Sequence, residues 1–124
     1  IKTIVNKNSS NIKFYGHCDD PHIFLENRRS IFVSASRLDN CPNSVLEALS
    51  FKVPIIVSDI SAHKFIFRDN KFYFKCGDAK DLVKKIHQIS NDENILEDNI
   101  KSIEAIYFKF DFNWKKNFYD IIKK

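Results

Sequence analysis

Glycine and methionine are scarce in this sequence of 124 residues, which has 2 Gly and no Met. With so few glycines there is no Gly-rich phosphate loop, and the Walker and nucleophile-elbow motifs are also missing. A bound phosphate would therefore have to be held in another way. Because the chain starts at Ile1 and lacks Met, we expect it to be a fragment of a longer protein.

Cysteine is also scarce, and its spacing argues against a zinc knuckle. The 3 Cys residues are an odd number, widely separated and without paired metal-ligand spacing: Cys18, Cys41 and Cys76. We therefore expect reduced thiols in a cytoplasmic protein, and no metal site.

Long apolar runs are missing too. None approaches the roughly 20 residues that cross a bilayer, so we expect neither a membrane span nor a signal peptide. Hydrophobic residues make up 44% of the chain and charged residues 29%, which is typical of a soluble globular domain and not of a disordered chain. The length predicts a single domain, residues 1–124, that buries roughly two-thirds of its surface on folding.

Charge of one sign is not strongly concentrated. The net charge is +4, and the most basic cluster lies in the tail, at Lys115, Lys116, Lys123 and Lys124. Such a cluster is usually solvated surface. The alternative is attraction to an anionic partner, either a nucleotide diphosphate or the acidic face of a membrane. We expect no nucleic-acid partner.

Apolar runs alternate with helical patterns along the chain. Strands are predicted at residues 12–15, 31–33 (covered on both faces), 53–57 and 71–74. Helices are predicted from Asp20 to about residue 27, from Asn43, after an N-cap at Asp78, after an N-cap at Asn91, and over residues 113–122. Residues 1–5 read as the end of a helix and residues 6–11 as a linker. This order predicts an α/β fold, a Rossmann-like parallel sheet with helices on both faces.

Residues 37–49 join a predicted strand to a predicted helix through a loop of acids and amides. Turns of this kind lie at the carboxyl ends of parallel strands, where open α/β sheets bind their ligands. On a helical wheel the apolar side is formed by Val45, Ala48 and Leu49. The opposite side is polar and contains Asn43, Glu47 and Ser50.

The start of this helix has two interpretations. Free backbone N–H groups near Asn43, Ser44 and Val45 suit a phosphate, and the Glu47 carboxylate suits sugar hydroxyls. On spacing alone the structural interpretation is favoured, in which Asp39 and Asn43 cap the helix and Glu47 is solvated. The 4 His residues are scattered and read as ordinary positions. His63 remains a candidate because a loop at residues 58–59 connects it to the carboxyl end of a strand.

The order and spacing of five segments resemble the carboxyl-terminal half of the nucleotide-binding domain of family 4 GT-B glycosyltransferases. The segments are NIKFYG (11–16), IFVSASR (31–37), PNSVLEAL (42–49), VPIIVSD (53–59) and FNWK (112–115). The resemblance implies that residues 1–124 are the C-terminal part of a GT-B donor-binding domain. It also implies that the N-terminal acceptor domain is absent and that the fragment is inactive in transfer alone.

That family handles its sugar nucleotide with a motif of Glu, seven residues and Glu. By resemblance, the first acid falls on Asp39, near the transferred sugar, and the second falls on Glu47, at the ribose hydroxyls. The diphosphate would lie on the backbone of residues 40–45, and the base on the loop after residue 15. The implied binding residues are Gly16, His17, Asn40, Cys41, Pro42, Asn43, Ser44 and Val45.

Three positions depart from the family pattern. Asp39 replaces the usual Glu and is shorter by one methylene, Asn40 stands where Gly is usual, and Cys41 stands where an aromatic residue is common. These departures predict a donor pocket that is shifted or selective.

The resemblance implies a retaining glycosyltransferase that uses a nucleoside-diphosphate sugar, a UDP-sugar by preference. The implied acceptor is a carbohydrate or lipid-linked oligosaccharide of bacterial surface polysaccharide, such as O-antigen. The enzyme would work in the cytoplasm, at the inner face of the membrane, without a cofactor or metal. The alternative is a non-catalytic, receiver-like signalling module with Asp59 as its acceptor. Residues 33–36 argue against it, because they lack the acids that a receiver needs there.

Overall fold

A computed structural model describes residues 12–25 and 30–110. Within these ranges three parallel strands form an open sheet in the order β1 (Phe32–Ser34), β2 (Ile55–Ser58) and β3 (Tyr73–Phe74). The α-helices of these ranges are α1 (Asn43–Ser50), α2 (Ser61–Ile66), α3 (Ala79–Asn91) and α4 (Glu93–Phe110). Short 3₁₀ helices occur at Pro21–Phe24 and Asn70–Phe72.

The predicted helix end at residues 1–5, the linker at 6–11, residues 26–27 and the helix at 113–122 lie outside the described residues. Within the described ranges, no helix is both long and apolar enough to cross a membrane.

Helices cover both faces of the sheet, and this confirms the predicted α/β architecture. Ile55 and Val57 of β2 are buried in one core cluster with residues of α1 and with Ile103 of α4. Ile56, which points to the other face, packs with Phe74 and with Ile89 of α3. The sequence pattern predicted this because β2 is apolar at every position before Ser58, as a strand buried on both faces requires.

Helix α1 follows its predicted pattern. Val45, Ala48 and Leu49 are the buried residues of the helix, whereas the residues of the opposite side are exposed: Asn43, Glu47 and Ser50. The helix therefore turns a polar side to solvent directly after the loop that leaves β1.

The predicted strand at residues 12–15 is wrong. These residues have no regular secondary structure, and their apolar side chains are exposed, for example Tyr15 at 59%. A strand exists only where a neighbour accepts and donates its backbone hydrogen bonds. No described strand pairs with this segment.

Strand β1 is present as predicted but is not covered on both faces. Val33 lies opposite Ile56 in the register and is 36% exposed. Because β1 is at the edge of the described sheet and α3 packs against β3, the α3 face above Val33 stays partly open.

Two helix boundaries also differ from the predictions. The helix expected from Asp20 is a 3₁₀ helix, Pro21–Phe24. Helix α3 runs through Asn91, so the side chain that caps α4 is that of Asp92, which accepts from the N–H groups of Asn94 and Ile95. The loop predicted after β2 is shorter than expected, because residues 62–64 belong to α2 (Ser61–Ile66). This helix is too short for its apolar residues to show a helical periodicity in the sequence.

The amino end of β2 is completed by a side chain. The amide of Asn99 on α4 accepts from the Ile55 N–H at 3.1 Å and donates to the Ile55 carbonyl at 3.3 Å. Asn99 is 2% exposed. Because β3 pairs with β2 only from Val57 onward, this amide satisfies backbone groups for which no partner strand is present.

Candidate functional site

The loop of residues 35–42 connects β1 to α1 at the carboxyl end of the sheet. Its turn is held by short-range bonds: the Asp39 carboxylate accepts from the Cys41 N–H at 3.0 Å, and the Cys41 thiol lies 3.2 Å from Asn43 Oδ1. Pro42, the last residue before α1, is buried. The loop thus brings Asp39 and the first turn of α1 together at one sheet edge.

The amides at the start of α1 are only partly free. The Asn43 N–H donates to the Cys41 carbonyl and the Val45 N–H to the Pro42 carbonyl, so the expectation of free N–H groups at these two residues is wrong. Ser44 has no backbone acceptor among the described residues. The tight turn at Pro42 therefore provides acceptors for the N–H groups of Asn43 and Val45 but not for that of Ser44.

The structural interpretation of Asp39 and Asn43 as helix caps is also wrong. The N-cap is Pro42, and no side chain caps α1. Asp39 bonds within its own loop. The positive end of the helix dipole at α1 is therefore not neutralised by a capping side chain.

Glu47 is exposed on the polar side of α1, one turn after Asn43. Its carboxylate has no hydrogen-bond or ion-pair partner among the described residues; Ser50 bonds only to its backbone carbonyl. An unpaired carboxylate on a helix side that faces away from the core is available to accept hydrogen bonds from a ligand.

Gly16 and His17 lie in a separate segment. Gly16 has a φ of 71°, the left-handed conformation that glycine adopts without strain, and His17 Nε2 is 3.3 Å from Asp19 Oδ1 in full solvent. Neither residue forms a hydrogen bond or ion pair with residues 35–47 within the described ranges. The base-contacting role assigned to them by resemblance stays a prediction, as do the roles of Asp39, Glu47 and residues 40–45.

His63, kept as a candidate from the sequence, is fully buried at the same sheet edge. It contacts serines that end two strands, Ser34 of β1 and Ser58 of β2. These serines were not singled out from the sequence. The signal was present, since two neighbouring parallel strands each end in Ser and parallel strands end at one edge.

Asp59, the acceptor of the receiver-like alternative, is committed to structural contacts. Its Oδ1 accepts from the Cys76 N–H at 2.8 Å, and its Oδ2 is 3.8 Å from the Lys64 ammonium group. The carboxylate ties the end of β2 to the turn after β3.

A groove of about 610 Å³ lies between α2 and α4, lined mainly by apolar residues that include Phe65, Phe72 and Ile106. None of the predicted site residues lines it. Most of the predicted site residues of the loop and α1 are instead at the surface: Asn40, Cys41, Asn43, Ser44 and Glu47 are exposed.

Two relatives are similar to this chain over most of its length. "Putative glycosyltransferase EpsD" of Bacillus subtilis (strain 168) is 31% identical over 83 residues, 65% of the chain and 22% of that protein. "Capsular polysaccharide biosynthesis glycosyltransferase CapM" of Staphylococcus aureus is 27% identical over 89 residues, 70% of the chain and 23% of that protein. The chain thus spans less than a quarter of the length of these relatives. No solved structure matches it.

The family comparison covers the whole site region. The sequence model of the family described as Glycosyl transferases group 1 matches residues 6–105, from before Gly16 to within α4. This match contains four of the five sequence segments that carry the resemblance, all except residues 112–115, and it replaces the receiver-like alternative. The chain therefore belongs to the glycosyl transferases group 1 family.

Proposed function

We propose that this chain supplies half of the donor site of a retaining glycosyltransferase that takes a sugar from a nucleoside-diphosphate sugar, a UDP-sugar by preference. The observation that carries the proposal is the edge formed by loop 35–42 and α1. There an uncapped helix start and an unpaired carboxylate lie together at the carboxyl end of a parallel strand.

The diphosphate is proposed to bind at the backbone of residues 40–45. The uncapped start of α1 offers the Ser44 amide and the positive end of the helix dipole, which favour an anion. The same groups stabilise negative charge as it develops on the departing diphosphate, which is where a transferase lowers its barrier.

Glu47 is proposed to bind the ribose hydroxyls. It lies one helical turn from the start of α1, on the same exposed side as Asn43. A phosphate at the helix start and a ribose at Glu47 are therefore compatible with one extended ligand. Gly16 and His17 would meet the base beyond the ribose.

Asp39 is proposed to lie near the transferred sugar. Its Oδ1 accepts a hydrogen bond from the Cys41 N–H. The other carboxylate oxygen would then contact a sugar hydroxyl or a developing positive charge. The loop fixes the direction of the carboxylate, which suits a group that acts by position and charge.

The acceptor is proposed to be a carbohydrate or lipid-linked oligosaccharide of a surface polysaccharide. Support comes from the name of the Staphylococcus aureus relative, a glycosyltransferase of capsular polysaccharide biosynthesis. A lipid-linked acceptor would bring the enzyme to the cytoplasmic face of the membrane, where the basic tail with Lys115 and Lys116 would meet acidic lipid.

The test of this proposal is Glu47→Ala in the full-length protein. We expect kcat/KM for transfer from a UDP-sugar to fall by about 10- to 100-fold, because hydrogen bonds to an ionised carboxylate are lost. Glu97→Ala is the matched control, since Glu97 is also an exposed helical glutamate, paired only with Lys101 at 3.3 Å. A loss of less than twofold in Glu47→Ala would show that Glu47 does not bind the donor.

Retention and the choice of base need separate measurements. The anomeric configuration of the first-formed product, followed by NMR, is expected to equal that of the donor. Titration with UDP, GDP and ADP is expected to rank UDP first. An inverted product, or equal affinity for the three nucleotides, would contradict the corresponding part of the proposal.

A further inference from the structure

The imidazole of His63 joins the carboxyl ends of two strands inside the protein. Nδ1 lies 2.8 Å from the carbonyl oxygen of Ser58 and 3.3 Å from its hydroxyl. Nε2 lies 3.4 Å from the hydroxyl of Ser34. The ring has 0% of its surface exposed, so both nitrogens depend on these serines for hydrogen bonding.

These contacts define the tautomer of the neutral ring. A carbonyl oxygen only accepts, so the nitrogen facing it, Nδ1, carries the hydrogen. Nε2 is then an acceptor for the Ser34 hydroxyl. The Ser58 hydroxyl receives part of the Nδ1–H bond through its oxygen, which leaves its own hydrogen to be donated elsewhere.

The Ser58 hydroxyl donates that hydrogen to the backbone carbonyl of Ser36. Ser36 is the second residue of loop 35–42, and the thiol of Cys76 lies 3.9 Å from the same carbonyl. The other end of the loop is fixed by the buried Pro42. Ser36 is therefore the point at which the first half of the loop, three residues before Asp39, is attached to β2.

We propose that His63 is a positioning residue for the donor loop. By directing the Ser58 hydroxyl onto the Ser36 carbonyl, it holds residues 35–42 against the sheet and keeps Asp39 where the transferred sugar would lie. The catalytic part of this inference rests on the proposed function. The structural part, that His63 and Ser58 order the loop, stands apart from it and is measured separately.

A purely structural histidine would have a different signature. If His63 only stabilised the core, its loss would lower the stability of the whole fold without singling out the loop. A comparison is therefore needed with a residue that is equally buried, bonds to the same strand and lies far from the loop. Asn99 meets this requirement, because it is 2% exposed and bonds to the amino end of β2.

The experiment uses four variants of the full-length protein. His63→Leu removes both ring nitrogens, and Ser58→Ala removes only the hydroxyl that reaches the loop. His63→Asn keeps a donor at the position of Nδ1 and is the rescue variant. Asn99→Leu is the control. Each is followed by hydrogen exchange of peptides covering residues 35–42 and by kcat and KM for the UDP-sugar.

We expect His63→Leu and Ser58→Ala to raise exchange in residues 35–42 by about 10-fold, since one attachment of the loop is lost. Their kcat is expected to fall by about the same factor, with a smaller change in KM, since Asp39 is misplaced while α1 is intact. His63→Asn should recover most of both losses. Asn99→Leu should lower thermal stability but leave loop exchange and kcat within about twofold of wild type.

Two results would overturn the inference. One is exchange in residues 35–42 that is no faster in Ser58→Ala than in Asn99→Leu; this milder variant decides the matter if His63→Leu does not fold. The other is a disordered loop with an unchanged kcat. A wild-type protein that neither binds UDP nor transfers sugar would refute the proposed function instead, and hydrogen exchange would still decide whether His63 orders the loop.

Discussion

The hydroxyl of Tyr73 is buried without a hydrogen-bond partner among the described residues. Burial, and secondarily the Asp69 carboxylate, raises the pKa of Tyr73 above its ordinary value. The unfolded chain therefore loses this proton at a lower pH than the folded protein does. The free energy of unfolding is therefore not changed by this titration below about pH 10 and decreases as the pH rises above that value.

Tyr73→Phe is accordingly expected to stabilise the protein. Removing an unsatisfied buried hydroxyl should raise the free energy of unfolding by about 1 kcal/mol at pH 7, and the gain should grow above about pH 10. Urea unfolding at pH 7 and 10.5 measures both effects. Tyr107→Phe on α4 is the control, and equal behaviour of the two variants would contradict the explanation.

Some alkaline sensitivity should remain in Tyr73→Phe. A hydrogen bond to Asp98, at 2.7 Å, raises the pKa of Lys71. A raised lysine pKa contributes stability below the unfolded value that is lost as the pH rises through the folded one. Tyr73 and Lys71 thus both lower the free energy of unfolding as the pH rises.

The negative charge of Asp39 can be tested separately from its hydrogen bond in the turn. In Asp39→Asn the side-chain oxygen can still accept from the Cys41 N–H, but the negative charge is gone. We expect kcat of the full-length protein to fall by at least about 10-fold while hydrogen exchange in residues 35–42 stays near wild type. A kcat within twofold of wild type would remove Asp39 from the catalytic assignment.

At this scale the sequence predicted which residues are buried in α1 and which are exposed, because one helical period decides both. It did not predict the partners of single polar groups. Asn99 and the serines around His63 bond to residues that are distant in sequence, and such contacts follow from packing that no local pattern contains.

Side-chain capping differs among the helices of the described residues. Asp78 accepts from the N–H groups of Lys80 and Asp81 at the start of α3, and Asp92 does the same for α4. Helix α1, in contrast, has no side-chain cap. The shorter helix α2 has no side-chain cap either. An uncapped start is therefore compatible with the proposed diphosphate at α1 but is not unique to that helix.

The cap of α3 gives a direct test at the level of the element. Asp78→Ala should lower the free energy of unfolding by about 1 kcal/mol, because two helix N–H groups lose their acceptor. Asp78→Ser, which keeps an acceptor oxygen, should lose much less. Thermal or urea unfolding measures the difference, and two variants of equal stability would show that the cap contributes nothing.

The positions of helices could be predicted where their ends are marked by residues that are close together in the sequence. The cap at Asp78 and the start of α1 follow from short sequence signals. The strand at residues 12–15 did not form because a strand depends on a neighbour, and the sequence of the segment itself cannot report whether one is present.

At the scale of the whole molecule, the proposed donor site consists mostly of exposed residues of loop 35–42 and α1. We therefore expect residues 1–124 expressed alone to show no sugar transfer, whereas the full-length protein is active. Product formation from a UDP-sugar measures both. Transfer by residues 1–124 at a rate near that of the full-length protein would show that one half-site is sufficient.

The amide of Asn99 has a consequence for how α4 can move. Apolar side chains such as Ile103 do not fix the position of a helix along a sheet, because hydrophobic contacts are non-directional and one can replace another. An amide that reads one N–H and one C=O of the same residue permits a single position, since sliding by one helical turn breaks both bonds. The two hydrogen bonds therefore fix the position of α4 relative to Ile55. We expect α4 and the central strand β2 to move together as long as both bonds are kept.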